Sequence, residues 1–198
     1  MTPPRRVGVF GGAFDPPHLA HAAVARAAVD QLRLDELRIL PTGNAWHKAT
    51  ELSPPEHRLA MTRIAFTGVP RAVIDERELH RRGPTYTVDT LRELHAEQPD
   101  AELFLLMGED QAAALTRWHD WRGVLALAVI GIAGRAATPG EVRSALPAEA
   151  RSRQLVLPPM PESATAIRAL VRSGAEIGHL VAPGVASYIE RHRLYQSA

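Results

Sequence analysis

Two histidines stand three residues apart near the start of the chain, just after a glycine pair and an Asp-Pro-Pro sequence. The stretch 6–26 reads RVGVFGGAFDPPHLAHAAVAR and places His18 and His21 at the opening of an alanine-rich helix. Residues at this spacing share one helix face. The first turn of a helix has unpaired N–H groups and a partial positive charge, which favour an anion. Two imidazoles on that turn therefore indicate a phosphate site.

The residues before the histidines predict a strand, a turn and a helix start. Gly11 and Gly12 follow a short apolar run and would let backbone amides approach a ligand with no Cβ in the way. Pro16 and Pro17 suit the first turn of the helix, and Asp15 is a candidate cap before them. Two simpler interpretations stay open: the glycines form only a tight turn, and the histidines are structural or solvated.

Other common site motifs do not fit this stretch. Gly8, Gly11 and Gly12 miss the G-x-G-x-x-G spacing of dinucleotide-binding turns, and no G-K-[ST] follows for a P-loop. The two histidines have i, i+3 spacing without the glutamate of the H-E-x-x-H zinc motif. The residues by themselves support an anion site at a helix start.

The composition limits the classes of protein and partner. The 198 residues suit one domain, and 23 Lys and Arg balance 22 Asp and Glu. This balance, without a long basic run, argues against a nucleic-acid or polybasic membrane surface. The absence of cysteine excludes disulfides and thiolate metal sites. The longest apolar run, 123–134, is too short to span a bilayer, and no signal peptide is apparent, so we expect a cytoplasmic protein.

Apolar runs alternate with helical segments along the chain. Strands are expected at 7–10, 36–41, 72–75, 102–107, 128–133 and 155–157. Helices are expected at 18–32, from a capping box at 53–56 to about residue 66, and at 183–191. Three more helices should follow a cap at Thr85 or Thr87, the stretch 108–110, and a cap at Ser163 or Thr165. A further helix is expected within 138–153. The alternation predicts an α/β fold with a doubly wound, mainly parallel sheet and helices on both faces.

Later segments add candidate ligand contacts, each with a simpler alternative. The loop 42–48 holds a Trp and a Lys that either grip a substrate or form a surface loop. Asp110 follows a strand end, where ligands lie in an open α/β sheet, although an acid also suits a helix start. Arg168 lies near a helix N-terminus, which is unfavourable unless an anion is present. His57 and Arg58 are expected to be only solvated first-turn residues, and one tryptophan of Trp118 and Trp121 is expected in the core.

The stretch GGAFDPPHLAH resembles the signature of the nucleotidyltransferase superfamily with an (H/T)-x-G-H motif after a G-G-x-F-D-P loop. It is most similar to the bacterial nicotinate (nicotinamide) mononucleotide adenylyltransferases, with Ala20 in place of the motif glycine and Ala13 in place of a common threonine. The stretch 163–168 resembles a second signature, I-S-S-T-x-I-R, from which Glu162 and Ala164 depart. The likeness covers nearly the whole chain, including GPTYTVDTLRELH at 83–95, Gly108-Glu109-Asp110, the Trp118 segment and the terminal Leu194-Tyr195.

The resemblance implies a Rossmann-like fold, one nucleotidyltransferase domain over 1–198, and adenylyl transfer from ATP to nicotinate mononucleotide in NAD biosynthesis. The products would be nicotinate adenine dinucleotide and pyrophosphate. It implies catalytic, phosphate-contacting roles for His18, His21 and Arg168. It implies ATP contacts from Gly11, Gly12, Ala13, Phe14, His18, His21, Gly108, Asp110, Ser163, Thr165 and Arg168. It implies substrate contacts from Asp15, Lys48, Thr85, Tyr86 and Trp118, with Trp118 stacked on the pyridine ring.

This chemistry would need no strong base, because the mononucleotide phosphate is already an anionic nucleophile. The protein would supply alignment and charge from imidazolium, guanidinium and helix N–H groups, with Mg²⁺ carried by the ATP phosphates and no metal bound by the protein itself. A homo-oligomer is compatible with these expectations, and nucleic acid and membrane partners are not expected. Two alternatives remain: a sister transferase with another acceptor, such as phosphopantetheine, and a non-catalytic nucleotide-binding regulatory module, which the departures at Ala13, Ala20, Glu162 and Ala164 would support.

Overall fold

The computed structural model describes residues 3–43, 52–134, 146–160 and 162–196, in which strands and helices alternate. The strands are β1 (Arg6–Gly12), β2 (Glu36–Pro41), β3 (Ala72–Ile74), β4 (Glu102–Gly108), β5 (Ala128–Gly134) and β6 (Ser152–Val156). The helices are α1 (Leu19–Gln31), α2 (Pro55–Phe66), α3 (Arg77–His80), α4 (Thr87–Glu97), α5 (Glu109–Ala113), α6 (Trp121–Leu127), α7 (Ala164–Arg172) and α8 (Pro183–His192), with a 3-10 turn at Leu115–Arg117. Among the helices in these ranges, none is long and apolar enough to cross a membrane.

The six strands form one sheet in the order β3-β2-β1-β4-β5-β6, and every neighbouring pair is parallel. This is the doubly wound Rossmann order, so the expected fold class is confirmed. The chain first builds outward from β1 to β3 and then returns to place β4 on the other side of β1. Connections leave β1 and β4 toward opposite faces at this switch point, which opens a crevice beyond their carboxyl ends.

Apolar side chains cover both faces of the central strands. Val7 and Leu105 belong to a buried cluster with α4 and α6, whereas Phe10 and Phe104 belong to one with α1. A third cluster joins α2, α7 and α8 and includes Met61. Strands buried on both faces are typical of parallel sheets and explain why these strands are nearly continuous apolar runs. The rigid sheet fixes the strand ends from which the site residues project.

Two helices begin differently from the expectation. His18 is the N-cap of α1, so the two prolines precede the helix and the prediction of Asp15 as its cap is wrong. Asp15 is unavailable because both its carboxylate oxygens accept hydrogen bonds from other segments, one from the Ser53 N–H. Pro54 is the N-cap of α2, with no side-chain cap bond, so the predicted capping box is wrong too.

The other two expected caps have different outcomes. Neither threonine caps α4, because Tyr86 is the N-cap and Thr87 is already helical, while the Thr85 hydroxyl is buried at the edge of a cavity described below. Ser163 does cap α7, and its Oγ accepts from the Ala166 N–H at 3.2 Å. That cap is confirmed and fixes the start of the helix that carries Arg168.

The sheet edge formed by β6 also differs from the prediction. Ser152 and Arg153 pair with Ile130 and Gly131, so the end of the helix expected within 138–153 is wrong. Residues 138–145 of that segment lie outside the described residues. The strand starts earlier than expected because it continues the ladder of β5. At its outer edge the Gln31 amide bonds both the N–H and the carbonyl of Val156, at 3.0 and 2.9 Å.

Candidate active site

Two cavities adjoin at the carboxyl ends of β1 and β4. The larger has a volume of about 860 Å³ and the smaller about 450 Å³. They share a wall made by the β1–α1 loop and the start of α5, with Gly11, Gly12, Ala13, Asp110 and Gln111. Two ligands could therefore occupy the two cavities and meet at the glycine pair.

The larger cavity collects every residue that the sequence predicted to contact ATP. These residues come from three separate places: the β1–α1 connection, the β4–α5 connection and the start of α7. The set is Gly11, Gly12, Ala13, Phe14, His18, His21, Gly108, Asp110, Ser163, Thr165 and Arg168. The sheet topology thus gathers residues that are far apart in sequence, and their individual roles stay predictions.

The two histidines of the larger cavity lie against each other. Their ring centroids are 3.8 Å apart, and the His18 N–H donates to His21 Nδ1 at 3.2 Å. Because Nδ1 of His21 accepts this bond, the proton of the neutral ring belongs on Nε2. The His21 ring also packs edge-on against Phe14, with centroids 5.1 Å apart. The loop backbone and Phe14 therefore orient this imidazole.

His18 is buried, and burial lowers its pKa to about 4, although the negative charge of Glu162 acts in the opposite direction. Its Nδ1 has no hydrogen-bond partner among the described residues. At neutral pH this pKa leaves the ring uncharged, so His18 does not supply the expected imidazolium charge in the free protein. A buried ring nitrogen without a partner at a cavity wall is suited to a ligand.

Arg168 supplies a permanent cation to the larger cavity. Its Nη1 donates to the Asp15 carbonyl at 2.7 Å, and its Nη2 donates to Thr165 Oγ1 at 3.4 Å. A guanidinium carries five N–H donors, so two contacts orient it and leave donors for an anion. Arg168 is the fifth residue of α7 and lies beyond its first turn, so the unfavourable helix-dipole placement that the sequence suggested is weaker than expected.

Asp15 lines the larger cavity but is used as a junction between segments. Its side chain is 3% exposed, its Oδ1 accepts from the Tyr195 hydroxyl at 2.6 Å, and its Oδ2 accepts from the Ser53 N–H at 3.0 Å. With the bond from Arg168 to its carbonyl, Asp15 connects four parts of the chain. The predicted substrate contact stays a prediction, and the geometry favours a structural role for this carboxylate.

The smaller cavity holds the predicted pyridine contacts Thr85, Tyr86 and Trp118. Tyr86 stacks on His119 with ring centroids 4.1 Å apart and planes inclined by 27°. Trp118 and Trp121 are both half-buried and pack against the edge of the same core cluster, so neither lies within the core and the expectation of one core tryptophan is wrong. Only Trp118 of the two lines the cavity. Lys48 lies outside the described residues.

A buried acid in the smaller cavity was missed by the sequence analysis. Glu78 is 6% exposed and accepts from the Thr90 hydroxyl at 2.7 Å, and Thr90 in turn accepts from Arg81 at 3.0 Å. Burial raises the pKa of the Glu78 carboxyl, although these partners act in the opposite direction. Nothing in a charged stretch such as ELHRRG distinguishes this glutamate from solvated neighbours.

Arg58 was expected to be solvated and is instead 2% exposed, so that expectation is wrong. Its Nη1 donates to the carbonyls of Ala13 and Thr42 at 3.0 and 2.7 Å, and its Nε donates to the Ser53 carbonyl at 3.0 Å. Burial lowers its pKa, which the nearby Asp15 opposes. A signal existed, because Arg58 stands three residues before the apolar Met61 on the inner face of α2.

Sequence comparisons place the chain among known proteins. The sequence model of the family described as cytidylyltransferase-like matches residues 9–170. A probable nicotinate-nucleotide adenylyltransferase of Albidiferax ferrireducens is 52% identical and covers 98% of this chain and 100% of its own. The protein of the same description from Methylibium petroleiphilum is 41% identical and covers 98% and 94%.

Solved structures share the architecture at low identity. The Plasmodium falciparum nicotinic acid mononucleotide adenylyltransferase complexed with NaAD has a TM-score of 0.79 at 18% identity, over 96% of this chain and 97% of its own. A putative nicotinate-nucleotide adenylyltransferase from Vibrio parahaemolyticus has a TM-score of 0.71 at 15% identity, over 98% and 97%. At such identities the likeness shows the fold.

Proposed function

The chain belongs to the nicotinate-nucleotide adenylyltransferase family of nucleotidyltransferases, and we propose that it transfers the adenylyl group of ATP to nicotinate mononucleotide. The products are nicotinate adenine dinucleotide and pyrophosphate, and the step belongs to NAD biosynthesis. One observation carries the proposal: two cavities meet at a glycine pair, one lined by phosphate-binding residue types and the other by aromatic rings. A donor nucleotide and an acceptor with a flat ring fit this division.

The reaction is a direct displacement at the α-phosphorus of ATP. A phosphate oxygen of the mononucleotide forms a bond to that phosphorus, and the bond to the β-bridging oxygen breaks and leaves its electron pair on pyrophosphate. No proton needs to be removed from the nucleophile, so the protein contributes alignment and charge stabilisation. The shared wall at Gly11 and Gly12 is where the attacking and leaving groups would line up.

In this proposal, three side chains of the larger cavity contact the phosphates of ATP. Arg168 brings a positive charge whose direction is set by its bond to the Asp15 carbonyl. His21 donates through Nε2, because its Nδ1 already accepts from the backbone. His18 is neutral before ATP binds, and an arriving triphosphate raises its pKa, since a nearby negative charge favours the imidazolium. The bound nucleotide therefore shifts the titration of His18 toward its protonated form.

Mg²⁺ arrives on the ATP phosphates in this proposal and neutralises part of their charge. Within the described ranges, no group of three or more His, Cys, Asp or Glu side chains is arranged to hold a metal ion. Glu109 and Asp110 line the larger cavity as exposed carboxylates, and oxygen ligands of this kind suit a Mg²⁺ ion that keeps most of its contacts to phosphate and water. Asp15 and Glu162 line the same cavity but are less exposed than these two residues.

Pyrophosphate release tests the proposal and its alternatives. The protein is supplied with ATP and Mg²⁺ together with nicotinate mononucleotide, nicotinamide mononucleotide, phosphopantetheine or no acceptor. Release with the nicotinate compound supports the proposed reaction. Release only with phosphopantetheine would assign a sister transferase, and ATP binding without release in any mixture would leave a non-catalytic nucleotide-binding module. The single-domain organisation, the cytoplasmic location and a homo-oligomer stay predictions.

A further inference from the structure

A tyrosine at the end of the described chain reaches the loop that forms the phosphate cavity. Tyr195 follows α8, and its hydroxyl donates to Asp15 Oδ1 at 2.6 Å across 180 residues of sequence. Tyr195 lines neither cavity, so any effect on a ligand would pass through Asp15. Asp15 lies directly after Phe14 of the cavity wall and three residues before His18.

Asp15 links Tyr195 to Arg168, the cation of the larger cavity. Its carbonyl accepts from Arg168 Nη1 at 2.7 Å, the shorter of the two hydrogen bonds described above that orient the guanidinium. Its other carboxylate oxygen accepts from the Ser53 N–H at 3.0 Å. The carboxylate is therefore held on both sides, and losing one donor would let the Asp15 backbone and the Arg168 head shift together.

The conformation at the chain end is costly and is maintained by packing. Arg193 and Tyr195 both adopt left-handed backbone angles, with φ of 51° and 63°, which residues with a Cβ rarely take. Leu194 and Tyr195 pack against the third cluster, and the Tyr195 hydroxyl also lies 4.0 Å from Met61 Sδ. Burial and the charge of Asp15 raise the pKa of the tyrosine, which keeps the hydroxyl a donor at all working pH values.

We propose that Tyr195 is a positioning residue for adenylyl transfer, which fixes Asp15 and through it the Arg168 guanidinium that meets the ATP phosphates. The inference rests on the proposed function, because it assigns Arg168 to the nucleotide. A charge-assisted hydrogen bond of this length is stronger than an ordinary one, so its loss should be measurable at the site.

The test compares two tyrosines that belong to the same cluster. Tyr195→Phe removes the hydroxyl that bonds Asp15, and Tyr188→Phe removes a hydroxyl that bonds His57 Nδ1 at 3.0 Å and lies outside both cavities. For Tyr195→Phe we expect kcat/KM for ATP to fall about tenfold, with the KM for the mononucleotide unchanged. Tyr188→Phe should retain wild-type kinetics. Equal kinetics for the two variants, or a loss that follows only the melting temperature, would overturn the proposal.

A double variant separates positioning from a general effect. If Tyr195 acts through Arg168, Tyr195→Phe should cost little further activity in an Arg168→Ala background, whereas a full additional tenfold loss would contradict it. Calorimetric ATP binding by the two phenylalanine variants gives a readout that needs no turnover. Weaker ATP binding by Tyr195→Phe, with unchanged binding by Tyr188→Phe, would therefore uphold the inference. A lack of turnover with every acceptor would overturn only the proposed reaction.

Discussion

The two cavities on either side of the glycine pair are built in different ways. The larger is enclosed by helix starts and by a junction at Asp15, to which Ser53, Arg168 and Tyr195 all contribute. The smaller has residues from the middle of central strands, such as Val9 and Leu105, as apolar lining, and its aromatic residues pack on the central core. The larger cavity therefore depends on hydrogen bonds between distant segments, and the smaller depends on packing. Substitutions in each should affect different substrates and different properties.

The largest effect is expected from His21, which belongs to the larger cavity alone. His21→Ala removes the imidazole that the proposal assigns to the ATP phosphates, and we expect kcat to fall by about 10² to 10³ with the fold intact. The control is His57→Ala, which removes an imidazole that bonds Tyr188 outside both cavities. Steady-state pyrophosphate release gives kcat. Near-normal turnover of His21→Ala would remove this residue from the mechanism.

The next effect is on stability and concerns Arg58, which touches the walls of both cavities. Arg58→Met leaves three partly buried carbonyl groups without their donor, so the free energy of unfolding should drop by roughly 3 kcal/mol. The matched control is Arg63→Met on the same helix, whose exposed ion pair with Glu76 should contribute less than about 1 kcal/mol. Urea denaturation compares the two. Equal, small losses would show that the buried arginine does not hold the walls together.

A substitution of Trp118 tests whether the two substrates bind in separate cavities. Trp118→Ala removes an aromatic face from the smaller cavity, and we expect the KM for nicotinate mononucleotide to rise about tenfold while the KM for ATP stays the same. Trp121→Ala is the control, because Trp121 packs on the same core but does not line the cavity. A parallel rise in the KM for ATP, or the same KM change in the control, would contradict separate substrate sites.

The smallest expected effects concern how the free energy of unfolding depends on pH. His18 in the larger cavity and Glu78 in the smaller should contribute with opposite signs. His18 has a folded pKa near 4, below its unfolded value of about 6.5, so the folded protein takes up its proton later and loses stability as the pH falls through that range. Glu78 has a raised folded pKa, so it costs stability as the pH rises above its unfolded value. His18→Asn should remove the loss of stability at low pH that is due to His18, and Glu78→Gln should remove the loss at higher pH that is due to Glu78. Unfolding free energies measured from pH 4 to 7.5 test both signs, and matching slopes in wild type and variants would refute the assignment.

Local patterns were enough to predict the strands and their alternation with helices, whereas the phosphate contacts stay predictions. His18 and His21 stand out because they open a helix, which has a recognisable chemistry in sequence, whereas Arg168 is the fifth residue of α7 and lies beyond its first turn. The contacts of Asp15 could not be foreseen, because its partners Arg168 and Tyr195 lie 153 and 180 residues away. The same distance in sequence explains the wrong cap at α1: a carboxylate that looks local is used by tertiary contacts.

The partners that allow charged residues to be buried were also hidden from sequence, although the spacing of Arg58 from Met61 gave a signal for the burial of Arg58 itself. Arg58 and Glu78 occur in charged surroundings, and only the folded chain shows that backbone carbonyls and Thr90 compensate their burial. A polar residue can be buried when such partners exist, and those partners come from the tertiary structure. The smaller cavity was therefore predicted through its aromatic residues, whereas its acidic wall was not.

The most direct test of transfer between the two cavities follows the α-phosphate through a single turnover. The protein, in excess over ATP labelled at the α-phosphorus and with Mg²⁺ present, is quenched with and without nicotinate mononucleotide. Direct displacement predicts that the label passes to nicotinate adenine dinucleotide when the acceptor is present and stays in ATP when it is absent. Label bound covalently to the protein without acceptor would contradict direct transfer, and label that never leaves ATP in either mixture would contradict the proposed reaction itself.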